Sequence, residues 1–304
     1  MDLVFEQEWE SRLICLLQSM ILKWPFLKGL FILFTCFGEP FFLVLVTGFL
    51  YFGYRKKWGI YTILCILSTE VMNDLIKNIV MRPRPYMAHE EIQCLKPLDP
   101  KHDLYDAVRQ GYSFPSGHSS GAASLCASLF SCIKDRKVLI IGMPIIFMVG
   151  ISRFSLGVHY PTDVIAGILL GFLSTLLVDR LYHKIDRKYL YLLLTMLCMS
   201  GVFFCKSEDY YSVIGIFMGF MAGNLFEEKN IGFEDSADIR RAIVRTLIGG
   251  LLFLMIAGLL KIAAAGIFVE ESKAALLYRS FRYGLSTFTV MGLYPYLFRY
   301  GFLK

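Results

Sequence analysis

The chain has 304 residues, 56% hydrophobic and 18% charged, with a formal net charge of +6 and a mean hydropathy of +0.56. Long uncharged runs recur along most of its length, which excludes a soluble domain built on one buried core and points to an all-α integral membrane protein. In such a protein the cationic excess belongs to cytoplasmic loops and does not call for a nucleic acid partner.

In chain order, the N-terminus carries Asp2, Glu6, Glu8 and Glu10 where a signal peptide would start basic. Phe5, Trp9, Leu13, Leu16 and Met20 share one helical face, so residues 1–24 read as an amphipathic helix lying along the membrane surface. Apolar segments follow at about 26–37, 39–54, 58–79, 115–133, 138–153, 160–179, 189–205, 210–226, 244–268 and 280–299, found with the usual ~20-residue span criterion. They give nine spans, or ten. The first is short and runs into Gly38 and Pro40, the pattern of a broken or re-entrant helix. No repeat of about 20–50 residues is visible. The eight cysteines lie mostly inside apolar runs, without a C-x-x-C pair or a Cys/His cluster at zinc spacing, and read as small packing residues.

Three short loops are basic: Arg55-Lys56-Lys57, then Lys134 with Arg136-Lys137, then Arg180, Lys184, Arg187 and Lys188. Alternating spans put all three on one side, which the positive-inside rule makes cytoplasmic. The long loop 80–114 and the turn 153–160 then share the outer face.

Those two loops hold the unusual residues. In "KNIVMRPRP" the helix carrying Lys77 ends at Arg82-Pro83-Arg84-Pro85, because proline cannot continue it; alone, these cations read equally well as interfacial anchors. In "GYSFPSGHSSGAASL", Ser116 is a good N-cap, Gly117 lets a ligand approach the backbone, and His118 sits in the first turn, where the helix presents free N–H groups to an anion. Alone, this is a capped helix with a surface histidine. In "SRFSLGVHYPTD", His159 precedes a helix opened by Pro161, with Asp163 just inside it and Arg153 upstream. A carboxylate there can take the proton on one imidazole nitrogen and leave the other as a nucleophile. The combination of cations, helix N-termini, two histidines and a carboxylate on one face fits an anion with several oxygens, phosphate above all.

Taken together, these stretches closely resemble the type 2 phosphatidic acid phosphatase superfamily of lipid phosphatases. The three-part signature stands without a substitution: Lys77, six residues, Arg84-Pro85; Pro115-Ser116-Gly117-His118; and Ser152-Arg153, five residues, His159, three residues, Asp163. The resemblance covers roughly residues 10–180. It implies a six-helix phosphatase core, taken as residues 25–182, followed by a C-terminal transmembrane extension over 183–304; some bacterial members are similarly extended. It also implies the roles: His159 attacks phosphorus, Asp163 orients it, and His118 protonates the leaving group and then activates water. Lys77, Arg84, Ser116, Gly117 and Arg153 hold the phosphate oxygens. The expected partners are a lipid phosphate or diphosphate and the bilayer, with no metal and no cofactor. The membrane is expected to be a bacterial cytoplasmic one, with the active site on its outer face. Two alternatives stand beside this: a phosphotransferase passing phosphate to a lipid or sugar acceptor, and a non-catalytic lipid-phosphate transporter or binding protein.

Elsewhere the sequence says less. Glu70, Asp74 and Lys77 share a helix face, as a link holding Lys77 or as a self-satisfied polar stripe. His89 and His102 lie among Glu90, Glu91, Asp99 and Asp103 and read as a solvated loop. Glu227, Arg245, Lys261, Arg279 and Arg282 read as span-end anchors ahead of a substrate chamber or dimer contact.

Overall fold

The computed structural model describes residues 7–96, 103–234, 238–269 and 272–299; Phe5, Asp99 and His102 lie outside them. The described residues are all-helical, with no strand among them. In chain order we label α1 Glu8–Lys23, α2 Phe26–Thr35, α3 Pro40–Phe49, α4 Lys56–Val80, α5 Gly117–Ile133, α6 Arg136–Ser155, α7 Pro161–Lys184, α8 Arg187–Ser200, α9 Glu208–Asn230, α10 Ile239–Ala263 and α11 Lys273–Phe288. Single turns at Pro85–Ala88, Ala107–Gln110 and Tyr296–Arg299 are left unlabelled.

Helices occupy all ten apolar segments, but fewer qualify as spans. Lys56–Ala88, Arg136–Ser155, Pro161–Lys184 and Ile239–Ala263 are long and apolar enough to cross a membrane. A fifth span results if Phe26–Gly38 and Pro40–Tyr54, bent by 48° at the Gly38–Pro40 break, count as one. The remaining helices are short or charged: α5 has 17 residues, α8 has 14 and α11 has 16, against the about 20 that a bilayer core needs. Helix α9 has 23 residues, with Glu208, Asp209, Glu227, Glu228 and Lys229 near its ends, and is not apolar enough over its length to qualify. Length and composition thus give four or five spans, where the hydropathy pattern suggested nine or ten.

The chain divides into two compact units, Met1–Leu43 with Ser68–Asp179, and Val44–Leu67 with Arg180–Lys304. In the first, α5 starts at the Ser116 cap, whose side chain accepts from Ser119 N–H; a cap of this kind contributes about 1 kcal/mol. Helix α7 lies tightly on α5 because Gly167 and Gly171 face the Ser116 and Ser120 carbonyls, where a Cβ would collide. Hydroxyls bind the same helices to α4: Thr69 Oγ1 donates to Ser124 Oγ at 3.1 Å, Ser124 and Thr175 hydroxyls meet at 2.9 Å, and Thr69 also pairs with Ser174. Small residues allow close backbones, and hydroxyls supply polar links between helices in an apolar solvent.

Helix α1 turns the expected apolar stripe outward. Trp9, Leu16 and Met20 are exposed, whereas Glu10, Ile14, Gln18 and Ile21 are buried.

In the second unit, α9 and α11 approach through Gly215 and Gly219, which face the Ser280 and Gly284 carbonyls. Three of the expected anchors, Glu227, Arg245 and Arg282, are buried here instead. Glu227 lies 2.5 Å from Lys56 and accepts from Phe233 N–H at 2.9 Å. Arg245 donates to the Phe52 carbonyl at 2.9 Å and sits 4.2 Å over the Phe298 ring. Arg279 pairs with Glu208, and Lys261 is exposed as an anchor should be.

Candidate active site

The three motif segments meet within the first unit. Helix α6 stops at Ser155 and α7 starts at Pro161, which leaves His159 on a short turn. Gly157 in that turn has φ +76, and a Cβ there would lie 2.8 Å from Gln18 Nε2 and closer still to the Gln93 carbonyl. Only glycine meets both demands. The loop that follows Pro85–Ala88 locks over the turn: Leu95 N–H donates to Leu156 O at 3.0 Å. Gln18 of α1 donates to Gln93 O at 2.8 Å and accepts from Gln93 N–H at 3.0 Å.

The His159 ring is 2% exposed. Its Nδ1 lies 2.7 Å from the Ser113 carbonyl oxygen and 3.7 Å from Asp163 Oδ2. A carbonyl only accepts, so Nδ1 carries the proton and Nε2 keeps its lone pair. The proton acceptor is therefore the Ser113 carbonyl, where sequence reasoning placed Asp163. Asp163 acts one step removed. Its Oδ2 accepts from Ser113 Oγ at 2.5 Å and from Tyr160 N–H at 2.8 Å, and its Oδ1 accepts from Arg82 at 2.7 Å. Burial, followed by the charges of Arg84, Arg153 and Lys77, holds the imidazole well below its ordinary range, against the opposing pull of the Ser113 carbonyl. The ring is neutral at physiological pH.

Around it stand the cations. Arg84 is fixed by three carbonyls: Nε donates to Gln110 O at 3.0 Å and Gly111 O at 2.8 Å, and Nη1 to Val158 O at 2.9 Å. Arg153 is 2% exposed and donates through Nη1 to Thr35 Oγ1 at 2.7 Å. Its Nε is buried without a hydrogen-bond partner among the described residues. Lys77 Nζ sits 3.8 Å from Asp74 Oδ1, the link suspected from the sequence, and 3.5 Å from where a Gly117 Cβ would be. Asn73, one turn before Lys77 on α4, donates to Ser120 Oγ at 3.2 Å.

At the mouth of α5, Ser116 N–H donates to Asp163 O at 3.0 Å, and its hydroxyl meets Ser119 Oγ at 2.9 Å. This serine is buried and engaged in capping. His118 is half-buried, backed by Gly38 at the α2–α3 break, where a Cβ would come within 2.6 Å of the His118 carbonyl oxygen. It lies within electrostatic range of Arg153, His159, Lys96 and Lys77. All eight site residues named from the sequence, Lys77, Arg84, Ser116, Gly117, His118, Arg153, His159 and Asp163, thus gather around one locus. His89 is not solvated as expected: its side chain is mostly buried, with its ring 6.2 Å from that of Tyr160.

Sequence reasoning missed Ser113, Arg82 as a partner of Asp163, Thr35 and Glu10. Ser113 gives its carbonyl to His159 and its hydroxyl to Asp163, while its own N–H donates to Arg82 O at 2.8 Å. The available signals were a serine two residues before Pro115 and an arginine two before Arg84.

Comparison with known proteins gives this arrangement its family. The PAP2 superfamily model matches residues 58–187, and the model of the PAP2 superfamily phosphatase transmembrane extension matches 211–303. Phosphatidylglycerophosphatase B of Bacillus subtilis is 32% identical over 182 residues, covering 56% of this chain and 82% of that protein. The chain belongs to the PAP2 superfamily. Other PAP2 relatives include an undecaprenyl-diphosphatase of Sulfolobus acidocaldarius, 29% identical over 48% of this chain and 66% of its own. A lipid A 1-phosphatase of Rhizobium etli is 27% identical over 50% and 70%. The crystal structure of a transmembrane PAP2 type phosphatidylglycerolphosphate phosphatase from Bacillus subtilis is 28% identical, covers 60% of this chain and 90% of that one, and gives a TM-score of 0.45. As a PAP2 member with the transmembrane extension, the chain is a multi-pass membrane protein and a lipid phosphate phosphatase.

Proposed function

We propose that this phosphatase hydrolyses a lipid phosphomonoester or diphosphate through a phosphohistidine on His159, without a metal or cofactor. One observation carries the reading: a neutral, buried imidazole whose Nδ1–H is held by the Ser113 carbonyl, inside a group of three cations that includes the unpartnered Arg153 Nε. In the first step Nε2 attacks phosphorus, a P–N bond forms and the bond to the lipid oxygen breaks. His118 gives that oxygen its proton. In the second, His118 takes a proton from water as the water oxygen attacks phosphorus, releasing inorganic phosphate and the free imidazole. Lys77, Arg84, Arg153 and the Gly117 N–H stabilise the equatorial oxygens, with the N-terminus of α5 adding its partial positive charge. Ser116 contributes by capping that helix.

In this reading residues 1–24 lie along the membrane surface, 25–182 form the six-helix phosphatase core and 183–304 the extension, with nine or ten crossings in all. The site opens on the outer face of a bacterial cytoplasmic membrane, since the basic loops mark the opposite side. A cysteine replacing exposed Glu90 is expected to react with an impermeant reagent outside intact cells and one replacing Lys137 is not; the reverse pattern inverts the orientation.

The names of the relatives supply the substrates to try: phosphatidylglycerophosphate, undecaprenyl diphosphate and a lipid A phosphate. The deciding experiment is phosphate release from that panel by purified protein in detergent. The expected result is turnover that survives excess EDTA and is abolished by vanadate, whose five-coordinate form resembles the in-line transition state. Full activity in vanadate together with loss in EDTA contradicts the proposal, and labelled phosphate appearing on an added acceptor in place of water makes the enzyme a transferase.

A further inference from the structure

Helix α1 brings a buried carboxylate, Glu10, against the turn that carries His159. Glu10 is 0% exposed although it stands in the first turn of a helix whose opposite face is open. Its Oε1 accepts from the Thr162 backbone N–H at 2.9 Å and from Thr162 Oγ1 at 2.7 Å. Thr162 is the second residue of α7, where N–H groups have no acceptor within the helix, so Glu10 caps α7 from another helix and meets the positive end of its dipole. Its Oε2 accepts from Arg82 Nη2 at 2.9 Å.

Arg82 passes this contact on. Its Nη1 donates to Asp163 Oδ1 at 2.7 Å and to Thr162 Oγ1 at 2.8 Å, and its guanidinium lies 3.8 Å over the Tyr160 ring. Glu10 and Arg82 together therefore grip Tyr160, Thr162 and Asp163, close after His159 in the chain. A carboxylate is costly to bury unless it is fully paired, and here Glu10 pairs with Thr162, in the segment that positions the histidine, and with Arg82, the arginine that holds it.

We propose that Glu10 is a positioning residue of the phosphatase reaction, fixing Arg82 and the first turn of α7 so that Asp163 and Ser113 hold His159 in line. The proposal rests on His159 as the nucleophile. Glu10 touches no reacting atom.

The test uses the full chain in detergent micelles, with phosphate release from whichever of phosphatidylglycerophosphate, undecaprenyl diphosphate and a lipid A phosphate it hydrolyses, and thermal unfolding followed in parallel. Glu10→Gln keeps the shape but presents a neutral group to Arg82, and is expected to lower kcat about tenfold with KM within about twofold. Thr162→Val removes one hydroxyl link and is expected to lower kcat about two- to threefold. The Glu10→Gln/Arg82→Gln double variant is expected to lose little beyond Arg82→Gln alone, since the two act as one unit. Unchanged kcat in a folded Glu10→Gln with only a lowered Tm overturns the proposal, because Glu10 then serves the fold alone. Should Glu10→Gln not fold, wild-type kcat in Thr162→Val overturns it equally. His159→Ala run alongside separates the two levels. Turnover in His159→Ala overturns the nucleophile and this proposal with it; an inactive His159→Ala beside an unaffected Glu10→Gln overturns the Glu10 role alone.

Discussion

Replacing Asp163 with asparagine removes a negative charge 3.7 Å from His159 Nδ1 and puts an amide where Ser113 Oγ, Tyr160 N–H and Arg82 now donate. In the proposed mechanism the ring gains positive charge as Nε2 bonds to phosphorus, and Asp163 stabilises it. Both groups are buried, so solvent screens the pair little. Two unit charges at this distance interact by about 4 kcal/mol at an effective dielectric of about 20. With about half the charge developed in the transition state the loss is about 2 kcal/mol, or about 30-fold in rate, and full development gives about 1,000-fold. Turnover does not vanish, because the Ser113 carbonyl still holds the Nδ1 proton at 2.7 Å. The assay is kcat and KM for phosphate release from a lipid phosphate in mixed micelles. Thermal unfolding belongs beside it, because Arg82 loses one of two carboxylates and a broken buried ion pair costs about 3–5 kcal/mol. The expected result is kcat reduced about 30- to 1,000-fold in Asp163→Asn, with His159→Ala at background. A folded Asp163→Asn as inactive as His159→Ala would refute the reasoning, by making Asp163 the essential holder of the proton; wild-type kcat would refute its electrostatic role.

Arg153→Lys is expected to lower kcat/KM by about 10- to 100-fold, since a charged hydrogen bond contributes about 1.5–3 kcal/mol and an ammonium cannot hold Thr35 and a phosphate oxygen as a fork does; unchanged kcat/KM contradicts this. Gly157→Ala must adopt φ +76 at a cost of about 1–2 kcal/mol, besides colliding with the Gln93 carbonyl, so both Tm and kcat should fall; a variant normal in both contradicts the tight turn. His159 sets a pH dependence of stability. The unfolded chain protonates it near pH ~6.5 and the folded chain only at lower pH, so below about 6.5 the unfolded state binds more protons and stability falls with pH, while above it the contribution is fully present. Unfolding temperatures between about pH 7.5 and 5 should decline less in His159→Asn, and an identical acid slope contradicts the assignment.

The sequence legibly carried those residues whose spacing is fixed by chemistry shared across a family. Lys77, Arg84, His118, His159 and Asp163 could be named because helix ends, prolines and caps place them on one face. The break at Gly38–Pro40 was also readable, since proline lacks the N–H a helix needs, and the structure bends there by 48°. What stayed hidden acts through backbone atoms or from a distance in sequence. The Ser113 carbonyl leaves no mark in the identity of residue 113, and Thr35 reaches Arg153 across 118 positions. Glu10 was hidden for a different reason. The helical face that the apolar residues Trp9, Leu16 and Met20 share is exposed, and a mixed face of two isoleucines with Glu10 and Gln18 packs against the protein instead. The stripe of Glu10, Ile14, Gln18 and Ile21 was therefore the informative one. Burial of Glu227 and Arg245 was likewise invisible, because a charge near a span end looks the same whether it anchors in headgroups or pairs inside the bundle.

The most direct measurement is to trap the phosphoenzyme. Purified protein is mixed with a lipid phosphate carrying labelled phosphorus, quenched in denaturing base within a turnover, and mapped by peptide digestion. The predicted result is label on His159 through an N–P bond, stable in base and lost in acid, absent from His159→Ala, and both formed and lost more slowly in His118→Ala, which lacks the leaving-group acid and the base that activates water. Steady turnover with no label on His159 in either the wild type or His118→Ala would contradict the phosphohistidine mechanism.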